Sequence, residues 1–182
     1  MTSSAEQPPF TYAEVGATRG ALPAGYHHIR VRRRLGHGRA EFQRLGDAVL
    51  AYRMQRGLHL LAEARPPRAE PGARVTVRLG FGPLGVLAPC RVVYVVDEEN
   101  RRGFAYGTLP GHPASGEELF VVEYDPATSA VYGVVTAFSR PAAWYTRLGG
   151  PIARGFQRLA AEGYLAVLRR TPRSPAHPPT DS

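Results

Sequence analysis

Lysine is absent from this 182-residue chain; its 23 basic side chains are all arginine. That absence excludes a lysine Schiff base and a lysine general base. Cysteine is almost absent as well, and the single Cys90 rules out both an internal disulfide framework and a cysteine-based zinc knuckle. Cys90 sits in the apolar run Cys90-Arg91-Val92-Val93-Tyr94-Val95-Val96, which reads as a buried structural thiol rather than a nucleophile. No run approaches the roughly 18 apolar residues that a membrane-spanning helix requires, and the N-terminus has no basic region followed by an apolar stretch. A soluble cytoplasmic protein is the default expectation.

What is present suits one globular domain. Apolar residues make up 43% of the chain and charged residues 21%, enough for one sizeable core. The formal charge of +8 attracts anions without choosing among nucleic acid, lipid headgroups and phosphorylated ligands. Residues 1–9 and 171–182 are rich in Ser, Thr, Pro and Ala and read as frayed tails, leaving 10–170 as the domain.

Along the chain, 10–20 lacks periodicity and reads as irregular, with aromatics able to pin it to the body. Residues 26–35 alternate as a strand, with His28, Arg30, Arg32 and Arg34 on a wet face. On the other face Arg33 either marks the strand end or points inward. A helical rhythm through Phe42, Leu45, Val49, Tyr52 and Met54 predicts one helix over 39–57, stopped at Gly57. Six strands follow at 58–64, 74–79, 90–96, 103–109, 117–124 and 130–138. Their short polar connections, among them 97–103 and 125–129, imply an antiparallel meander. Arg74-Val75-Thr76-Val77-Arg78-Leu79 alternates cleanly, so one sheet face is wet and the other covered.

The cover comes from 151–170, where Ile152, Phe156, Leu159, Tyr164 and Val167 recur at helical spacing behind Pro151. Strand, helix, six strands and long helix give an α+β domain in which a curved antiparallel sheet grips the C-terminal helix. This is the element order of the START-like helix-grip fold, which often encloses a cavity.

Three blocks carry a family resemblance. The first comprises Phe10-Thr11-Tyr12, Val15-Gly16-Ala17-Thr18-Arg19 and Leu22-Pro23-Ala24-Gly25-Tyr26. The second runs from Gly103 to Glu118, through Gly107-Thr108-Leu109-Pro110-Gly111-His112-Pro113. The third is Ala137-Phe138-Ser139-Arg140-Pro141 with Leu148-Gly149-Gly150-Pro151. Together they resemble the DUF1990 (UPF0548) family, a resemblance that implies no established reaction, cofactor or catalytic residue to carry over.

The second block concentrates acid, base and hydrogen-bonding groups. His112 beside Glu117 or Glu118 is a candidate general acid or base, with Ser115 or Tyr106 handling a proton. The opposing reading makes His112 a packed loop residue, Ser115 a turn bond and the glutamates a solvated strand start. Between these extremes, Tyr106, His112, Glu117, Glu118 and Arg140 are expected to anchor a small apolar or amphipathic ligand between sheet and helix. Arg140 could instead pair with Glu117 or Glu118. Arg19 is a similar anion candidate, and Trp144 and Tyr145 are expected to cap the core. A small hydrolase- or isomerase-like enzyme and an anion- or membrane-surface module built on Arg30, Arg32 and Arg34 are the alternatives. No cofactor is expected, since neither Gly36-His37-Gly38 nor the run Gly80-Phe81-Gly82-Pro83-Leu84-Gly85 matches a phosphate or dinucleotide fingerprint. The histidines form no metal-ligand pattern, and no nucleic-acid motif accompanies the arginines. The sequence leaves the oligomeric state open.

Overall fold

The computed structural model describes residues 8–79, 85–142 and 150–171, with side chains in the last segment described from 158 onward. Trp144, Tyr145, residues 80–84 and most of both expected tails lie outside the described residues. A 3-10 turn at Ala17–Arg19 precedes β1 (His27–His37), α1 (Arg39–Leu50) and α2 (Arg53–Gly57). Then come β2 (Leu61–Arg65), β3 (Arg74–Leu79), β4 (Val86–Glu98), β5 (Arg101–Thr108), β6 (Ala114–Tyr124), β7 (Ala130–Pro141) and α3 (Gly150–Arg170).

All seven strands form one antiparallel sheet in the order β1-β7-β6-β5-β4-β3-β2. From β2 to β7 the chain is a meander, as the short connections predict. The exception is β1, which skips the meander and closes against the last strand, placing Ile29 opposite Ala137 and Val31 opposite Val135.

The single helix expected over 39–57 is two. Tyr52 adopts a left-handed conformation, φ 57°, and the axis breaks there. The break turns the Tyr52 ring onto Phe104, edge-on at 5.2 Å. α1 packs on β5 and β6, whereas α3 packs on β1, β7 and α2. The core lies between this helical layer and one sheet face. Its floor is Phe104 on β5 and Phe120 on β6, and its roof is Leu45, Val49 and Met54 with Ala161, Tyr164 and Leu168 from α3.

Arg33 resolves differently from either simple expectation. The strand continues past it, and the arginine on the helix-facing side pairs with Glu162 of α3 at the sheet edge. The wet-face expectation also needs correction. It suits β3, but both faces are buried through β5, β6 and β7, because residues 10–20 lie over the second face. Tyr12 and Tyr26 there pack edge-on against Phe138 at 5.5 and 5.0 Å.

The four-ring cluster of Tyr52, Phe104, Tyr106 and Phe120 joins sheet to helices. Replacing the fully buried Phe104 by Ala leaves a cavity at its centre. Urea denaturation of that variant should show a loss of about 3–5 kcal/mol.

Candidate functional site

The candidate residues divide between the two faces of β6, because successive side chains on a strand point in opposite directions. Glu117 faces the outer surface, where residues 10–20 cover it. Glu118 faces the helices.

On the outer face Glu117 is 2% exposed. Its Oε2 accepts hydrogen bonds from the Tyr12 hydroxyl at 2.8 Å and the Gly16 amide at 2.7 Å. Its Oε1 accepts from the Thr18 amide at 3.1 Å and also contacts the Thr18 hydroxyl, which reaches the Tyr94 hydroxyl at 2.7 Å. A carboxylate removed from water is tolerable when its lone pairs are met by such donors. Burial, then the Glu117 charge, pushes the Tyr12 phenol's pKa up, so it stays a donor. Neighbouring residues prepare the contact. Gly107 on β5 carries no side chain, and a Cβ there would stand 2.0 Å from the Tyr12 hydroxyl. Thr11 bonds the Thr108 carbonyl through its amide at 3.1 Å, and Ser115 donates to the Thr11 carbonyl at 2.8 Å. The first and second sequence blocks therefore dock onto each other. The third joins them: Phe138 packs on Tyr12, and the Arg140 guanidinium lies over the Tyr26 ring, 4.9 Å from its centre. Tyr26 in turn donates to Glu14 at 2.7 Å.

His112 lies in the loop between β5 and β6. Its Nδ1 accepts the Ala114 amide at 2.9 Å, and burial pulls its imidazole down to about 4, so the ring is neutral at neutral pH. It hydrogen-bonds to neither glutamate. The structure thus assembles no His112–carboxylate pair, and Arg140 meets an aromatic ring rather than pairing with Glu117 or Glu118. Ser115 serves the docked segment instead of its own turn.

On the helix side, Glu118 accepts a hydrogen bond from the Tyr106 hydroxyl at 3.0 Å. Burial raises the carboxyl to about 7, against a smaller opposing effect of the Tyr106 bond. Burial and the nearby Glu118 charge also raise the Tyr106 and Tyr164 phenols. Cys90 belongs to the same cluster, its thiol pushed up by burial first and by Glu118 second. Two further polar groups share this core. Gln55 is fully buried, and among the described residues neither its amide atoms nor the buried Tyr52 hydroxyl has a hydrogen-bond partner. Sequence reading missed Gln55, because a glutamine within an amphipathic helix pattern reads as solvent-facing. Chemically, a carboxyl poised near neutrality beside a phenol can hold either a donor or an acceptor. Among the described residues no His, Cys, Asp and Glu cluster could hold a metal ion, and no helix is long and apolar enough to cross a membrane.

A seven-stranded antiparallel sheet with a long C-terminal helix over a partly polar core places the chain among helix-grip-like α+β folds. Solved structures agree. TTHA0849 from Thermus thermophilus superposes with a TM-score of 0.56 at 14% identity, covering 79% of this chain and 94% of that one. Ara h 8.0201 gives 0.52 at 10% identity, over 80% and 96%. A hypothetical protein, jhp0584, from Helicobacter pylori gives 0.56 at 9% identity, over 89% and 95%. The chain itself belongs to the DUF1990 family, described as a domain of unknown function, which matches residues 11–167. A UPF0548 protein from Deinococcus radiodurans is 39% identical over 181 residues, covering 93% of this chain and 90% of its own. A UPF0548 protein from Arabidopsis thaliana is 36% identical over 91 residues, covering 46% and 44%.

Substituting Glu117→Gln puts an amide donor against donors already in place. The expected outcome is faster hydrogen exchange at the Gly16 and Thr18 amides and a stability loss of about 2 kcal/mol. Exchange rates equal to those of the parent would show that the segment is held by its aromatic packing instead.

Proposed function

We propose that the protein binds a small apolar or amphipathic ligand between its sheet and α3, the sheet curving to grip the helix and the Tyr106–Glu118 pair anchoring the ligand's polar end. The observation that carries this reading is the buried amide of Gln55, which has no partner among the described residues. An unsatisfied buried polar group costs roughly 1–3 kcal/mol, so one left inside a core points to a missing partner. The Tyr52 hydroxyl, likewise without a partner among the described residues, belongs to a ring that packs on Phe104, which in turn meets Tyr106. The helix-grip likeness is compatible with such a site. Of the five expected anchors, Tyr106 and Glu118 fit this role; the Glu117 oxygens are taken by residues 10–20, and His112 and Arg140 have partners elsewhere.

Native mass spectrometry after mild extraction tests whether a ligand travels with the protein. Nile red, a neutral apolar dye, then reports on the emptied site. Its fluorescence should rise on addition to the stripped protein, and Glu118→Gln with Tyr106→Phe should weaken dye binding several-fold. No retained mass and no dye binding would overturn the reading.

Glu118 also predicts a pH signature in the ligand-free protein. Its folded-state pKa, raised from 4.5 to about 7, means that the folded state holds a proton which the unfolded chain releases. The contribution is fully present below the unfolded value and is lost as pH rises toward the folded one. Stability measured by urea denaturation should therefore fall between about pH 4.5 and about 7. Glu118→Gln should flatten that slope.

A further inference from the structure

The outer face of the sheet carries a cleft, on the far side from the Tyr106–Glu118 pair. Its floor is apolar: Leu119 and Val121 of β6 lie beside Val134 and Thr136 of β7. Its rim is cationic. Arg30 and Arg32 stand along β1, directly across from Thr136 and Val134, while Arg19 enters from the 3-10 turn and Arg101 from β5. This open cleft has a volume of ≈ 320 Å³, at the lower end of the range of about 300–1,000 Å³ usual for ligand clefts.

The charges in this cleft do not balance. Glu123 is the carboxylate lining it; it accepts a bond from Arg32 at 3.1 Å and lies 3.7 Å from Arg101. Arg101 also meets Glu98 at 3.6 Å, from outside the cleft. Arg32 is held further by the Tyr132 ring, 3.4 Å from its guanidinium carbon. Arg19 lies 4.0 Å over the Tyr94 ring, which orients it without neutralising it, and Arg30 has no carboxylate partner among the described residues. Arg19, oriented by its ring contact, and Arg30 therefore flank this floor with no carboxylate partner among the described residues. Arg34, the third arginine of the β1 run, does not line this cleft. The adjoining space of ≈ 460 Å³ shares Arg19 and Arg101, but Asp97 and Glu98 border it and disfavour an anion there.

We infer that this outer cleft is a binding site for a small organic anion, an oxyanion head on a short apolar body. The head sits between Arg19 and Arg30, and the body lies on Leu119, Val121 and Val134. Guanidinium groups match carboxylate and phosphate oxygens in geometry as well as charge. A free inorganic anion would leave this floor uncovered. The position of Arg19 links the cleft to Glu117, which fixes the turn carrying it.

Amide NMR titration of the full chain with octanoate, octanol and inorganic phosphate at low ionic strength tests the inference. Octanoate should bind more tightly than either half alone, with shifts centred on Arg19, Leu119, Val121 and Val134. Arg30→Glu should weaken octanoate about tenfold, since it exchanges a charge-assisted contact for repulsion. Arg19→Ala should weaken it several-fold, and added salt should weaken it too. Glu118→Gln should leave it unchanged, which separates this site from the one between sheet and α3. The inference is overturned by no octanoate binding, by Arg30→Glu and Arg19→Ala titrating like the parent, by phosphate binding as tightly as octanoate, or by shifts confined to the helix-facing side at Tyr106 and Tyr164.

Discussion

A single buried carboxylate holds the outer side of this molecule together. Glu117 gathers a phenol, two backbone amides and a threonine hydroxyl from a segment that has almost no regular secondary structure. Without an acceptor beneath them, those amides would face a hydrophobic sheet with no partner, a cost that irregular backbone cannot meet alone. The carboxylate supplies what a neighbouring strand would supply to a β-segment. Phe138, Tyr12 and Tyr94 are dry because that segment stays down. The rim position of Arg19 follows from the same contact.

One residue later the same side-chain chemistry meets the opposite environment. Glu118 is hydrogen-bonded by one phenol and, among the described residues, has no cation partner, so burial raises its proton affinity. The seven-stranded sheet thus separates two kinds of interior. One is closed by polar contacts that are fully matched around the carboxylate; the other keeps a glutamine amide and a tyrosine hydroxyl unmatched among aromatic rings. Matched polar groups specify a unique packing, and unmatched ones leave binding capacity.

Local pattern carried much of this into the sequence. The alternation of Val75 and Val77 marked β3 residue for residue, Asp125 and Ser129 bounded a true hairpin turn, and strand spacing gave the antiparallel meander. What sequence could not show was set by distant partners. The axis break at Tyr52 accompanies its packing on Phe104, in a stretch whose helical rhythm is unbroken. Residues 10–20 look unstructured locally because their order depends on Glu117, separated from Gly16 by 101 positions. Alternation alone puts Glu117 and Glu118 on opposite faces. It does not say that one face is roofed by the N-terminal segment and the other by helices, and that difference decides their roles.

The strand order has a consequence for how the chain is made. β1 lies at the sheet edge and pairs only with β7, the final strand, so its hydrogen-bonding edge stays open until residues near 141 have left the ribosome. Glu117 likewise emerges long after the segment it will hold. Both closures join the beginning of the chain to its latter half, which raises contact order and delays completion of the sheet. A ribosome-bound intermediate ending before β7 would expose the arginine-rich strand as a free edge. Like charges along Arg30, Arg32, Arg33 and Arg34 oppose edge-to-edge pairing of that strand with another copy.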